Sequence, residues 1–186
     1  TVTVDTGNEK IPNLKVYDLL AYGKGSADLT GVTGIPTGVS AQYNQKYIDN
    51  SFSVTNQSSG SNLTIAKTPL QNGSATVADL LAITGFVNDA PNQAEFTFQT
   101  QVVNPDIFAG NKTPRVYNTA TLFSANAKLN AATAYVDYPS HMLAKELLQR
   151  GADPTKAEDV NGKKTTDAAK GFDYVDKSVI FRLSVN

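Results

Sequence analysis

The sequence predicts an all-β protein, mainly an antiparallel β-sandwich with one or two short helices, and three observations carry that prediction. From Leu14 to about Phe123 apolar residues recur with a period of two, the pattern of strands that bury one face. Clusters of Gly, Pro, Asn and Ser interrupt this stretch at residues 31–38, 58–61, 71–74, 88–92 and 104–110. Short strands between frequent turns build sandwiches rather than α/β folds. The end of the chain alternates as well, with Val179, Phe181, Leu183 and Val185 on one side and Ser178, Arg182, Ser184 and Asn186 on the other.

In chain order, Thr1-Val2-Thr3-Val4 is expected as a short strand, followed by a polar tether from Thr6 to Pro12. Leu14 and Val16 then alternate with Lys15 and Tyr17, Phe52 and Val54 with Ser53 and Thr55, and Leu63 and Ile65 with Asn62 and Thr64. Residues 94–102 form the clearest expected strand, with Phe96, Phe98 and Val102 inward and Glu95, Thr97, Gln99 and Gln101 outward. Two segments suggest helices. Residues 76–83 place Val77, Leu80 and Leu81 on one helical face before Gly85, and residues 140–150 set Leu143 and Leu147 four apart between Ser140 and Gly151. Residues 152–173 are charged and loop-like. The expected organisation is a strand and tether over 1–12, then one sandwich domain over 13–186 with a helical insertion around 140–151.

Composition narrows the function. A chain of 186 residues can bury a core without staples, and it has no cysteine for a disulfide, a thiolate metal site or a nucleophile. A formal charge of −1 removes any global electrostatic case for nucleic acid. No apolar run approaches the roughly 18 to 20 residues that cross a bilayer. The chain opens on Thr rather than Met, so a cleaved signal peptide and an extracellular or cell-surface location are expected.

Chemistry-bearing residues are sparse. His141 is the single histidine, so no second imidazole can join it at a metal, and beside Ser140 it reads as a helix-start surface residue. Asp153, Glu158 and Asp159 lack the spacing and central Gly of a calcium loop. No cofactor, no metal and no enzymatic activity is expected. Asn56, Asn62, Asn72 and Asn111 head Asn-x-Ser/Thr triplets in or beside turns and are glycosylation candidates. Tyr43, Tyr47, Tyr135 and Tyr138 are the candidates for a sugar-stacking platform, with ordinary packing as the simpler role.

The middle of the chain carries an ordered set of motifs: Ile35-Pro36-Thr37-Gly38-Val39, Asn50-Ser51-Phe52-Ser53-Val54, Ala94-Glu95-Phe96-Thr97-Phe98 with Val102, and Val116-Tyr117-Asn118-Thr119-Ala120-Thr121-Leu122. This order resembles the DUF11-type immunoglobulin-like domains of prokaryotic surface proteins and the related isopeptide-forming pilin domains. The resemblance implies an immunoglobulin-like sandwich, with a jelly-roll-like wiring as the variant. It also implies an opening strand like residues 178–186, which here comes last. From the pilin domains it further implies a Lys-to-Asn isopeptide bond aided by a buried acid, and the matching residues are Lys15, Asn118 and Glu95. Residues 144–154 with Asn161-Gly162-Lys163 look like one ankyrin repeat, but a single copy cannot bury its own faces.

The function expected first is a structural subunit of a pilus-like extracellular filament or surface layer, with copies of itself as partners, joined head to tail by strand donation. Thr1, Val2, Thr3 and Val4 would be the donor strand, and Val179, Phe181, Leu183 and Val185 a strand of the receiving groove. The alternative is a self-contained adhesin or carbohydrate-binding module of a larger surface protein, with both terminal strands paired internally and glycans or neighbouring cells as partners. A viral capsid or decoration protein is the third option.

Overall fold

A computed structural model describes residues 1–104 and 115–137, together with the backbone of two further strands. The strands are β1 Val2–Asp5, β2 Leu14–Ala21, β3 Ala41–Gln42, β4 Gln45–Tyr47, β5 Ser53–Gln57, β6 Thr64–Asn72, β7 Ala75–Thr84, β8 Gln93–Thr97, β9 Thr100–Val102, β10 Arg115–Ser124, β11 Ala127–Asp137, β12 Leu143–Arg150 and β13 Val179–Val185. A single turn of 3₁₀ helix, Ser26–Leu29, is the helical content among the described residues. The all-β expectation therefore stands. The turn at residues 105–110 and the charged stretch 152–173 lie outside the described residues.

The chain divides into two compact units, Thr1–Ala109 with Arg115–Tyr138, and Gly110–Pro114 with Pro139–Asn186. Two units thus stand where one domain over 13–186 is expected, and β1 belongs to the first of them rather than to a separate tether. In the second unit β12 and β13 pair antiparallel, Leu143 opposite Val185 and Arg150 opposite Val179.

The first unit is a sandwich. One sheet runs β1-β8-β5; the other has six strands in the order β11-β10-β2-β7-β6, with β3 joined to the side of β2; β4 and β9 form a short ribbon. Val4, Ala94 and Phe96 from the small sheet meet Leu14, Val16, Leu20, Leu81 and Ile83 from the large one, with Tyr47 of β4 among them. The opposite face of the large sheet is also covered. Leu19, Ala21, Leu70, Ala78 and Leu80 form a second core beneath Leu29, Val32, Ile35, Val39, Ala41 and Tyr43 from the long β2–β4 connection.

This double cover explains why the expected helix at 76–83 is instead strand β7. Leu80 faces the second core and Leu81 the first, so the run is apolar on both sides and loses its period of two. Its register is fixed by neighbours on both edges, Ile83 opposite Val16 on β2 and opposite Ile65 on β6. The β6–β7 hairpin turns through Gly73-Ser74, with φ +62° at Gly73, the glycine-first geometry of a type II′ turn.

The expected helix over 140–150 is likewise replaced, by β12. Leu143 and Leu147 are four residues apart, and a spacing of four returns to the same face of a helix and of a strand alike. Residues 140–142 lie outside the described residues. The expected strand over 94–102 divides into β8 and β9 at Phe98-Gln99. The Gln99 amide donates to the Ser51 hydroxyl (3.0 Å) and the Ile48 amide donates to the Gln99 carbonyl (3.0 Å), turning the chain toward β4. Phe98 still packs inward against Tyr47, ring centroids 6.2 Å apart.

Gly85 ends β7 at φ +97°, where an added Cβ would run into the Asn62 carbonyl oxygen. Gly73 also has positive φ but open space around it. Gly85→Ala is expected to cost at least about 2 kcal/mol in a urea titration and Gly73→Ala about 1 kcal/mol, so the two midpoints should separate clearly.

Candidate functional site

The terminal strands are the first sites that the sequence singles out. β1 lies antiparallel to β8, with Val2 opposite Phe96, Thr3 opposite Glu95, Val4 opposite Ala94 and Asp5 opposite Gln93. Val4 is buried in the first core. The tether is anchored: the Thr6 amide donates to the Asn92 carbonyl (2.9 Å) and the Asn92 amide to the Thr6 hydroxyl (2.8 Å), while the fully buried Asn92 side chain donates to the Val87 carbonyl (2.8 Å). The partner of β1 is thus β8. β13, offered as the groove strand, pairs with β12 in the second unit, and the side chains of Val179, Phe181, Leu183 and Val185 lie outside the described residues.

Lys15, Glu95 and Asn118 are not brought together. Lys15 is opposite Phe123 on the β2–β10 ladder, and Glu95 accepts the Thr55 hydroxyl (2.9 Å) between β1 and β5. Asn118 instead donates to Asp18 Oδ1 at 3.2 Å. Asp18 is fully buried on the inner face of β2, and its second oxygen has no hydrogen-bond partner among the described residues. Burial pushes its carboxyl up to about 7, partly offset by the Asn118 hydrogen bond. On the adjacent strand β7, opposite Leu20, buried Asp79 accepts the Tyr22 hydroxyl (2.9 Å) and the Tyr47 amide (3.2 Å). The sequence gives no sign of these acids because both sit in apolar runs, Asp18-Leu19-Leu20-Ala21 and Asp79-Leu80-Leu81.

Asn56, Asn62 and Asn72 are exposed, as glycosylation would require, and Asn111 lies outside the described residues. The four tyrosines separate. Tyr47 belongs to the core, Tyr138 lies outside the described residues, Tyr43 is half-buried at the edge of the second core, and Tyr135 is 55% exposed on β11. The structure adds Tyr117, 48% exposed and directly opposite Tyr135 on β10, ring centroids 5.8 Å apart. Hairpin geometry could have found it, since strands folded about the Ala125-Asn126 turn place the two rings across from each other. The Arg115 guanidinium stacks 4.1 Å from the centre of the Tyr135 ring and donates to Asp137 at 2.8 Å.

Beside Tyr117 opens a cavity of about 220 Å³ lined by Lys24, Gln42, Tyr43, Asn44, Arg115, Val116 and Tyr117. A second, of about 120 Å³, lies behind β1 against Val16, Ala120, Leu122 and residues 130–132. Every residue of β11 is exposed. Among the described residues no group of three or more His, Cys, Asp and Glu is placed to hold a metal, and no helix is long and apolar enough to cross a membrane. Comparison with models of known families, with curated proteins and with solved structures returns no match.

Asp18 predicts a pH dependence. Its folded pKa lies above the unfolded value, so between about pH 4 and 7 the folded state holds a proton that the unfolded chain has released, and stability falls as pH rises through that window. Stability should drop by up to roughly 4 kcal/mol across it in denaturant titrations, and Asp18→Asn should flatten the profile.

Proposed function

We propose that the chain is a self-contained β-sandwich module of a cell-surface or extracellular protein, structural in role, of the class that its middle resembles. The observation that carries this reading is the pairing of β1 with β8 inside its own sheet, with Val4 in the core and Thr6 pinned to Asn92. A strand held by ladder hydrogen bonds, a buried side chain and an anchored tether is poorly suited to leave its subunit. The exposed Asn, Thr and Ser surface, in a chain of which only 18% is charged, is consistent with an extracellular setting.

A second reading, a filament subunit joined strand to strand, is favoured by β11. It lies at the end of the large sheet, eleven residues long and exposed throughout, with no charge between Lys128 and Asp137. Such an edge is a template for another strand. On this reading β11 receives a strand and β1 stays where it is.

Deleting residues 1–6 separates the readings. A self-contained module is expected to be monomeric before and after by sedimentation, and less stable afterwards by about 2 to 5 kcal/mol through loss of Val2 and Val4. Filaments in electron micrographs of the intact chain that vanish on deletion would restore donation by β1. Filaments that survive deletion but are abolished by Thr133→Lys would establish the β11 edge instead.

A further inference from the structure

The outer end of the β10–β11 hairpin has the makings of a ligand site. A cross-strand tyrosine pair alone would merely stabilise the hairpin. Here the pair is half exposed, one ring is backed by Arg115, and a cavity of about 220 Å³ opens next to it. The walls are fixed. Buried Gln45 donates to the Tyr117 carbonyl (2.6 Å) and accepts the Thr100 hydroxyl (3.0 Å). Asn44, at φ +58°, donates from its side chain to the Asn104 carbonyl (2.9 Å) and accepts the Asn104 amide (2.8 Å). Aromatic faces at the mouth and planar polar groups on the walls match a molecule with one apolar C–H face and a rim of hydroxyls.

We infer that this groove binds a terminal sugar residue of a glycan, stacked on Tyr117 and Tyr135 with its hydroxyls toward Gln42 and Arg115, and that an acidic sugar is preferred. The preference comes from Lys24. Arg115 is paired with Asp137, whereas Lys24, which also lines the cavity, has no ion pair among the described residues, so its ammonium can meet a sugar carboxylate. The inference rests on the reading of a self-contained surface module.

The test is a titration of the chain, followed by amide and aromatic NMR shifts, with methyl β-glucuronide, methyl β-glucoside and a proline-rich peptide as probes. Shifts confined to Tyr43, Asn44, Arg115, Tyr117 and Tyr135 are expected with both sugars, the glucuronide binding several-fold more tightly. Tyr117→Ala should weaken it about tenfold and Tyr117→Phe little, since stacking rather than the hydroxyl holds the ring. Lys24→Gln should erase the preference for the acidic sugar. Lys24 is exposed, so Lys24→Gln is expected to leave the melting temperature unchanged, whereas Tyr117→Ala removes the cross-strand pair and is expected to lower it slightly, with the folded amide spectrum retained at the titration temperature. A monomer that shows no shifts with either sugar, that binds the peptide there instead, or whose Tyr117→Ala variant binds as before overturns the inference and leaves the module reading intact. Filaments of the intact chain count against the module reading itself.

Discussion

The pairing of β2 with β7 at the centre of the large sheet is what the rest of the first unit depends on. Six registered pairs, from Val16 opposite Ile83 to Ala21 opposite Ala78, hold two strands whose side chains are buried on both faces. One face receives the small sheet and the other the long connection that carries Val32, Ile35 and Val39. Removing a large side chain from either strand opens a void that the sheet cannot close without moving a layer, which is why core truncations of this kind typically cost about 2 to 5 kcal/mol.

That central pair also explains where the polar exceptions fall. Asp18 and Asp79 lie on its inner face, and each is tied to a neighbouring element, Asp18 to β10 through Asn118 and Asp79 to β4 through Tyr47 and to Tyr22. Buried polar contacts of this sort contribute little net energy but specify which strand lies next to which. Gln45 does the same for the β10–β11 hairpin, since its side chain reaches the Tyr117 carbonyl and sets the height of the exposed ring. A surface feature is thus held by the same inner layer that holds the core.

The parts of this fold legible in the sequence are those with one wet face. Val54, Ala94 and Phe96 alternate with polar neighbours, and they lie on the small sheet, which is covered on one side. β7 is illegible for the opposite reason: with both faces buried, composition carries no period, and only its long-range partners Val16 and Ile65 identify it as a strand. The break at Phe98-Gln99 depends on Ser51 and Ile48, some 48 and 51 residues earlier, a distance that no local pattern reports. At the candidate site Tyr43 and Tyr135 are legible as aromatic residues, whereas Tyr117 reads only as part of a strand motif, and no local feature marks Lys24, whose place depends on β10 lying beside the β2–β4 connection. The place of β1 shows the same limit: four alternating residues specify a strand but not which edge they join.

In the isolated chain β1 should belong to its own sheet. Hydrogen exchange followed residue by residue at a concentration where the protein is monomeric addresses this directly. The Thr6 amide and the β1 amides that face β8 should be protected together with those of β8 itself, at a level below β2 and β7 but far above an unstructured segment. Unprotected β1 amides in the monomer, gaining protection only when the chain assembles, would contradict it.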